Sequence, residues 1–175
     1  MSNGSGSQSD GNVLTGFLDW LNWLANNVTV IHEPEGPLGE IAKEVNPTND
    51  GKNCVYIVYA VVARLRGIDP KAVAPAGAYR FDSDKINKLF KIKFQSGDFN
   101  EIFDRVIRGG DGTIAIVRIM FPNGTGHVVV IANFKGQVGI IEAQDPKQLI
   151  TSPEDADAYC NARGDNSISY GIVPK

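Results

Sequence analysis

The chain has few cysteines, few histidines and no strong excess of charge. Its 175 residues include two cysteines, Cys54 and Cys160, and two histidines, His32 and His127. The formal net charge is -3. Two cysteines cannot build a disulfide-dense scaffold. We expect two unrelated thiols rather than a bridge, because Cys54 precedes an apolar helix whereas Cys160 lies in a polar segment. The mild acidity argues against non-specific binding to nucleic acid or to an anionic membrane.

Membrane-spanning, targeting and metal-binding patterns are also missing from the sequence. No apolar run reaches the ~18 to 20 residues that a membrane span needs. The first basic residue is Lys43, so the basic start of a secretory signal is absent. Export within a longer secreted chain is compatible with both absences. His, Cys and Asp residues do not cluster at metal-ligand spacing, so we expect neither a metal nor a cofactor.

The organisation of the chain is that of a single domain behind a polar tail. Residues 1–12 are rich in Gly and Ser and are interpreted as a flexible linker or an added tail. Residues 13–175 are long enough to form one domain with its own core.

Hydrophobic periodicity predicts helices followed by an antiparallel sheet. The predicted helices cover residues 13–27, 37–45, 54–66, 98–108 and 153–162, with a basic, partly helical segment at 84–94. The predicted strands cover residues 113–121, 127–134, 137–144 and 167–173. This order indicates an α+β fold in which a helical layer packs on a meander. The helix that begins at Cys54 is apolar almost all the way round and ends before Gly67, so it is expected to be central.

Cys54 stands at the point where a turn-rich stretch becomes this apolar helix. The positive end of the helix dipole and the unpaired N–H groups of the first turn favour a thiolate there. A thiolate is a nucleophile, and the same N–H groups can hold an oxyanion. A buried core thiol is the structural alternative, because free cysteines are among the most buried residues.

His127 begins a very apolar strand directly after a Gly-rich turn, which suits a side chain at the rim of a sheet. It can therefore serve as the base of a cysteine nucleophile. His32, in a loop before Glu33-Pro34, is interpreted as a structural residue.

The hairpin between the two central strands predicts which residues lie beside His127. If Lys135-Gly136 is a two-residue loop, Val129 lies opposite Glu142 and His127 lies opposite Gln144. Glu142 and Gln144 then share the face of His127, and either of them could orient the imidazole. A one-residue bulge would bring Asp145 to that face instead.

Several short motifs together resemble a known family. Asn46-Pro47, Asn53-Cys54, the helix ending in Arg64-Leu65-Arg66-Gly67, and Gly126-His127 followed by an acidic residue resemble the papain-fold toxin domains of bacterial polymorphic toxins. They are also similar to effector glutamine deamidases. The resemblance covers about residues 43–146. Ile57 stands where such domains often carry a second Cys.

The resemblance implies a papain-like fold with a Cys-His-acid triad. Cys54 corresponds to the nucleophile, His127 to the base, and Glu142 to a position where the family usually has Asp. Gln144 corresponds to a Gln that the family often carries, and Asn53 is expected to position the nucleophile or to line the oxyanion hole.

The activity implied is deamidation of a protein glutamine through a thioester, by a secreted domain that acts in the cytoplasm of a target cell. The expected partners are a protein substrate and a tight-binding immunity protein. Peptide cleavage and transglutamination use the same groups and stay open as alternatives, as does a non-catalytic binding domain in which Cys54 is structural. Residues 68–83 and 84–94 are expected to help choose the substrate.

Overall fold

The computed structural model describes residues 31–161 and 166–175, which belong to one compact unit. The helix predicted at 13–27 lies outside the described residues. Within them there are five helices and six strands. The helices are α1 (Gly36–Glu44), α2 (Cys54–Leu65), α3 (Ser83–Phe90), α4 (Phe99–Arg108) and α5 (Pro153–Asn161). The strands are β1 (Gln95–Ser96), β2 (Ile114–Met120), β3 (Gly126–Phe134), β4 (Gln137–Glu142), β5 (Gln148–Ile150) and β6 (Ser167–Val173).

The six strands form one antiparallel sheet in the order β1-β6-β2-β3-β4-β5. Strands β2 to β5 form a meander, and β6 returns to pair with the other side of β2. The predicted two-residue hairpin is present, because Phe134 pairs with Gln137 and Val130 pairs with Ile141. Lys135 and Gly136 have φ angles of 50° and 82°, and such a tight turn requires positive φ at both positions.

Helix α2 forms although its sequence contains many β-branched residues, which are weak helix formers. Its buried residues face almost every direction and include Val55, Val58, Val61 and Val62. Burial of these side chains, at roughly 1.5 to 3 kcal/mol each, outweighs propensity differences of at most about 0.7 kcal/mol per residue. Gly67, with a φ of 67°, adopts the left-handed conformation that ends the helix.

Helices cover both faces of the sheet. One apolar cluster joins α1 and α2 to sheet residues such as Ile116 and Val130. A second cluster joins α4 and α5 to residues of the opposite face such as Val117 and Ile131. The sequence predicted a single helical layer, and the second layer is a finding of the structure. Its signal is the unbroken burial of Ile114–Val117, since a strand with one wet face would alternate.

The α+β prediction is confirmed, with short elements added. The predicted α4 starts as expected, because the Asp98 carboxylate accepts a 2.8 Å hydrogen bond from the backbone N–H of Glu101. Strands β1 and β5 were missed, since two or three residues carry no readable periodicity. No helix of residues 31–161 and 166–175 has the length and apolar character to span a membrane.

Candidate active site

Three of the residues singled out in the sequence meet at one end of the sheet. Cys54 is the first residue of α2, His127 is the second residue of β3, and Glu142 is the last residue of β4. Cys54 packs with the α1/α2 layer, whereas alternation along the strands directs His127 and Glu142 to the face of α5. The site therefore lies at the rim of the sheet, between residues that belong to the two helical layers.

The His127 imidazole and the Glu142 carboxylate form a buried ion pair. His127 Nε2 lies 2.8 Å from Glu142 Oε2, and the two residues are 6% and 5% exposed. Glu142 also accepts a 2.9 Å hydrogen bond from the Gln144 backbone N–H at Oε1 and a hydrogen bond from the Tyr159 hydroxyl at Oε2. With three donors around it, the carboxylate is held in one orientation, and it favours a proton on Nε2 of the ring.

The electrostatics of this pair favour its charged form. Burial lowers the pKa of His127, but the charge of Glu142 and hydrogen bonds to Cys54 and Glu142 outweigh it and raise that pKa from 6.5 to about 9. Burial raises the pKa of Glu142, while the positive charge of His127 and its hydrogen-bond donors lower it by more. The partners therefore stabilise an imidazolium beside a carboxylate at neutral pH.

Cys54 completes the arrangement on the other side of the imidazole. Burial raises the pKa of its thiol, but a hydrogen bond and the positive charge of His127 lower it, as does the backbone N–H of Val128, and the net pKa lies below the usual value. Because Nε2 faces Glu142, Nδ1 is the ring nitrogen that remains for the sulfur. The geometry favours a thiolate–imidazolium pair.

Asn53, the residue before Cys54, is fully buried and does not line the cleft. Its side-chain amide donates to Asn46 Oδ1 at 2.9 Å and to the Pro75 carbonyl at 3.0 Å. These contacts occupy both N–H groups of the Asn53 amide, which leaves no side-chain donor for an oxyanion. The Asn53 side chain does not cap α2, so no side-chain cap occupies the N–H groups of its first turn.

Asn46 is the residue through which the turn before α2 is joined to the sheet. Its fully buried amide donates to the carbonyl oxygens of Asp50 and Ala143, both at 3.1 Å. Ala143 directly follows Glu142, so one side chain fixes the nucleophile's turn relative to the end of β4. The sequence showed Asn46-Pro47 only as part of a motif, and no local signal predicted this contact.

Gln144 and Asp145 have different surroundings, although they are neighbours. Gln144 lines the cleft together with Cys54 and His127, and its Nε2 is buried without a hydrogen-bond partner among the described residues. Asp145 is exposed. The ladder from Val130 to Phe134 contains no bulge, so the register that brings Glu142 to the face of His127 is the one that forms. His32 lies away from Cys54, with Nε2 3.6 Å from Asp155.

Tyr159 was not singled out in the sequence. It lies on α5, and its hydroxyl reaches the carboxylate of Glu142 from the second helical layer. Its segment shows no pattern that distinguishes Tyr159 from the other tyrosines of the chain, because the contact depends on where α5 packs.

The cleft in front of Cys54 has a volume of about 670 Å³. Besides the residues already named, it is lined by the turn before β3 and by the aromatic residues Tyr79 and Phe81. Its ionisable side chains other than Cys54 and His127 are basic or phenolic: Lys52, Arg80, Arg118 and Tyr79. Within the described residues, no group of three or more His, Cys, Asp or Glu is placed to hold a metal ion.

Comparison with known proteins places the chain in a family. The family described as papain fold toxin 1, glutamine deamidase, matches residues 52–146, a range that contains Cys54, His127 and Glu142. No curated protein matches the chain. Among solved structures, the crystal structure of the Pseudomonas avirulence protein AvrPphB is similar at 14% identity with a TM-score of 0.30; the match covers 46% of this chain and 50%, or about half, of that chain. Because the family match covers more than half of the 175 residues, this chain belongs to the papain fold toxin 1, glutamine deamidase family.

Proposed function

We propose that this protein is a cysteine-dependent glutamine deamidase that acts on a protein substrate through Cys54, His127 and Glu142. The observation that carries the proposal is the placement of His127 between two partners, with Glu142 on Nε2 and the Cys54 thiol on its other side. Membership of the glutamine deamidase family supports the same chemistry. The proposal assigns Cys54 as nucleophile, His127 as general acid and base, and Glu142 as the residue that orients and charges His127.

In the first half of the reaction, the Cys54 thiolate attacks the side-chain amide carbon of a glutamine. The C–S bond forms as the carbonyl electron pair moves to oxygen. The His127 imidazolium then donates its proton to the amide nitrogen, ammonia leaves, and a thioester remains on Cys54. Glu142 keeps its negative charge throughout and stabilises the imidazolium.

Stabilising the developing oxyanion requires hydrogen-bond donors that are not already bonded to another group. The backbone N–H of Cys54 and its neighbours in the first turn of α2 carry no side-chain cap and sit at the positive end of the helix dipole. The Gln144 side-chain amide, which lines the same cleft, is proposed as a further donor to the substrate.

In the second half, neutral His127 takes a proton from water and the hydroxide attacks the thioester carbon. The C–S bond breaks, the thiolate is regenerated beside the imidazolium, and the glutamine has become a glutamate. Every group in both halves belongs to this chain, and water is the only co-reactant.

The toxin family also suggests a biological setting. We propose that the domain is delivered by a secreted bacterial protein into the cytoplasm of a target cell, where it modifies a protein. In the producing cell, an immunity protein that covers the cleft would protect endogenous substrates. The domain is proposed to be a single catalytic unit.

The test is mass spectrometry of a target-cell protein extract after incubation with the wild-type chain and, in parallel, with Cys54→Ala. The expected result is a Cys54-dependent mass increase of about one dalton at particular glutamines, with ammonia release, because hydrolysis replaces an amide by an acid. Cys54-dependent peptide fragments would instead assign the site to proteolysis, and glutamine–amine cross-links would assign it to transglutamination. Identical extracts with both proteins would leave a non-catalytic binding domain as the better account.

A further inference from the structure

Among the described residues that line the cleft, Arg118 is the only Lys or Arg that lies on a strand of the sheet. It lies on β2 opposite Val128 of β3, and Val128 is the residue whose backbone N–H donates to the Cys54 sulfur. Cross-strand partners have Cβ atoms about 4.5 to 5.5 Å apart, so the Arg118 side chain begins beside Val128, on the strand next to the one that carries His127. Its side chain lines the same cavity as Cys54 and His127.

Among the described residues, Arg118 has a stacking partner but no carboxylate. Its guanidinium carbon lies 4.6 Å from the centroid of the Phe81 ring, and Phe81 in turn packs on Phe94. Its Nε is buried and makes no hydrogen bond to any residue that the structure describes. An unsatisfied buried donor on a charged group costs free energy, so such a donor is typically completed by a bound water, an ion or a ligand.

Two other arginines of the domain, Arg64 and Arg108, are already paired with acceptors. Arg64 bonds the Ala72 carbonyl and Glu44, and Arg108 forms an ion pair with Asp104. The cleft, by contrast, has no Asp or Glu in its lining, and the exposed Lys52 and Arg80 add two further positive charges at its mouth. A planar guanidinium packed over an aromatic ring is well suited to bidentate recognition of a carboxylate.

We propose that Arg118 forms a specificity subsite for the carboxylate of an acidic residue close to the target glutamine, with Lys52 and Arg80 contributing to the attraction. The proposal rests on the deamidase function above and adds the substrate class to it: a glutamine with an Asp or Glu nearby on the substrate surface. Phe81 packs against the guanidinium, whose Nε–H is a donor that a substrate carboxylate would satisfy.

The test uses end-blocked heptapeptides with one central glutamine, so that no terminal carboxylate competes. Each of the two positions before and after the glutamine is set in turn to Glu, Ala or Lys. Ammonia release is measured for the wild-type chain, for Arg118→Met and for Arg108→Gln. Arg118→Met keeps an unbranched side chain against Phe81 but removes the charge, and Arg108→Gln removes an equal charge from an exposed position on α4.

At one position or more, Glu is expected to raise kcat/KM about ten- to a hundred-fold over Ala for the wild type, because a charge-assisted bidentate pair is gained. The ratio should fall close to one in Arg118→Met and stay unchanged in Arg108→Gln. Arg118→Lys, which keeps the charge without the fork, should retain part of the preference. Equal rates for the Glu and Ala peptides, or a preference that survives in Arg118→Met, would overturn the subsite.

A binding measurement separates failure of the subsite from failure of the deamidase function. Fluorescently labelled Glu and Ala peptides are titrated with the Cys54→Ala protein and with Cys54→Ala/Arg118→Met, and the two Kd values are compared at low and high salt. If no peptide releases ammonia, tighter binding of the Glu peptide that depends on Arg118 and weakens with salt still supports the subsite. Equal binding, or no measurable binding of either peptide, counts against it.

Discussion

Cys54 and Cys160 are the same residue type on two helices of one domain, and neither forms a disulfide. Cys160 lies near the C-terminal end of α5, is 2% exposed and packs in the cluster between α4, α5 and the sheet. Cys54 is the first residue of α2, is half-buried and lies at the cleft beside His127. The helix dipole favours a negative charge at the first position and opposes it at the last. Position on the helix and a neighbouring imidazole therefore distinguish a candidate nucleophile from a core thiol.

The largest effect should come from removing each sulfur in turn. Cys54→Ala is expected to lower kcat for ammonia release by about 10⁴-fold or more, because covalent catalysis is lost. Cys160→Ala should keep kcat within about threefold and cost about 1 to 2 kcal/mol of unfolding free energy, since it leaves a small cavity. Ammonia release and urea denaturation measure the two quantities. Comparable activity loss in both variants would contradict the distinction.

Alkylation should separate the two thiols without any substrate. At pH 6.5 iodoacetamide is expected to modify Cys54 about a hundred-fold faster than Cys160, because Cys54 is held as a thiolate and Cys160 is buried. Peptide mass spectrometry of one sample reports both rates, so Cys160 is the internal control. His127→Ala should remove the fast reaction at this pH. Fast labelling of Cys54 only above pH ~8.5, as for an ordinary thiol, would count against an activated pair.

The dependence of kcat/KM on pH should show how Glu142, through His127, keeps Cys54 different from Cys160. Activity requires a thiolate together with an imidazolium, so kcat/KM should rise through the lowered pKa of Cys54 and fall near pH 9, where His127 loses its proton. In Glu142→Gln the pKa of His127 should fall, which moves the alkaline limb to lower pH. The optimum rate should drop about ten- to a hundred-fold, because Glu142 no longer orients His127 or stabilises its imidazolium. An unchanged alkaline limb in Glu142→Gln would show that Glu142 does not raise the pKa of His127.

The smallest expected effect concerns Tyr159, which lies one residue before Cys160 but contacts the site. Tyr159→Phe keeps the ring and removes the hydroxyl that bonds Glu142. A loss of one of three donors should lower kcat about three- to tenfold and shift the alkaline limb, with KM little changed. Cys160→Ala is the matched control on the same helix. If Tyr159→Phe changes only the unfolding free energy, Tyr159 serves packing rather than positioning.

Much of the arrangement follows from local chemistry along the chain. Lys135-Gly136 demands a tight turn, and that turn aligns β3 with β4 so that Glu142 and His127 share a face. Asp98 caps α4, Gly67 ends α2, and the apolar surround of α2 predicts a central helix. Each of these features depends on neighbours a few residues away, where sequence patterns are informative.

The contacts that complete the site could not be read in this way. The Asn46 side chain bonds the Ala143 carbonyl, 97 residues away in sequence. Tyr159 bonds Glu142 across 17 residues, and Arg118 stacks on Phe81 across 37 residues. These pairs carry no shared periodicity, and the partner of each depends on how the helices pack against the sheet. Residue types and turn geometry thus predicted that Cys54, His127 and Glu142 are candidates for one site. Packing of two helical layers around the sheet decided which buried donors hold that acid and which cation faces the cleft, because desolvated polar groups find their partners only in the folded chain.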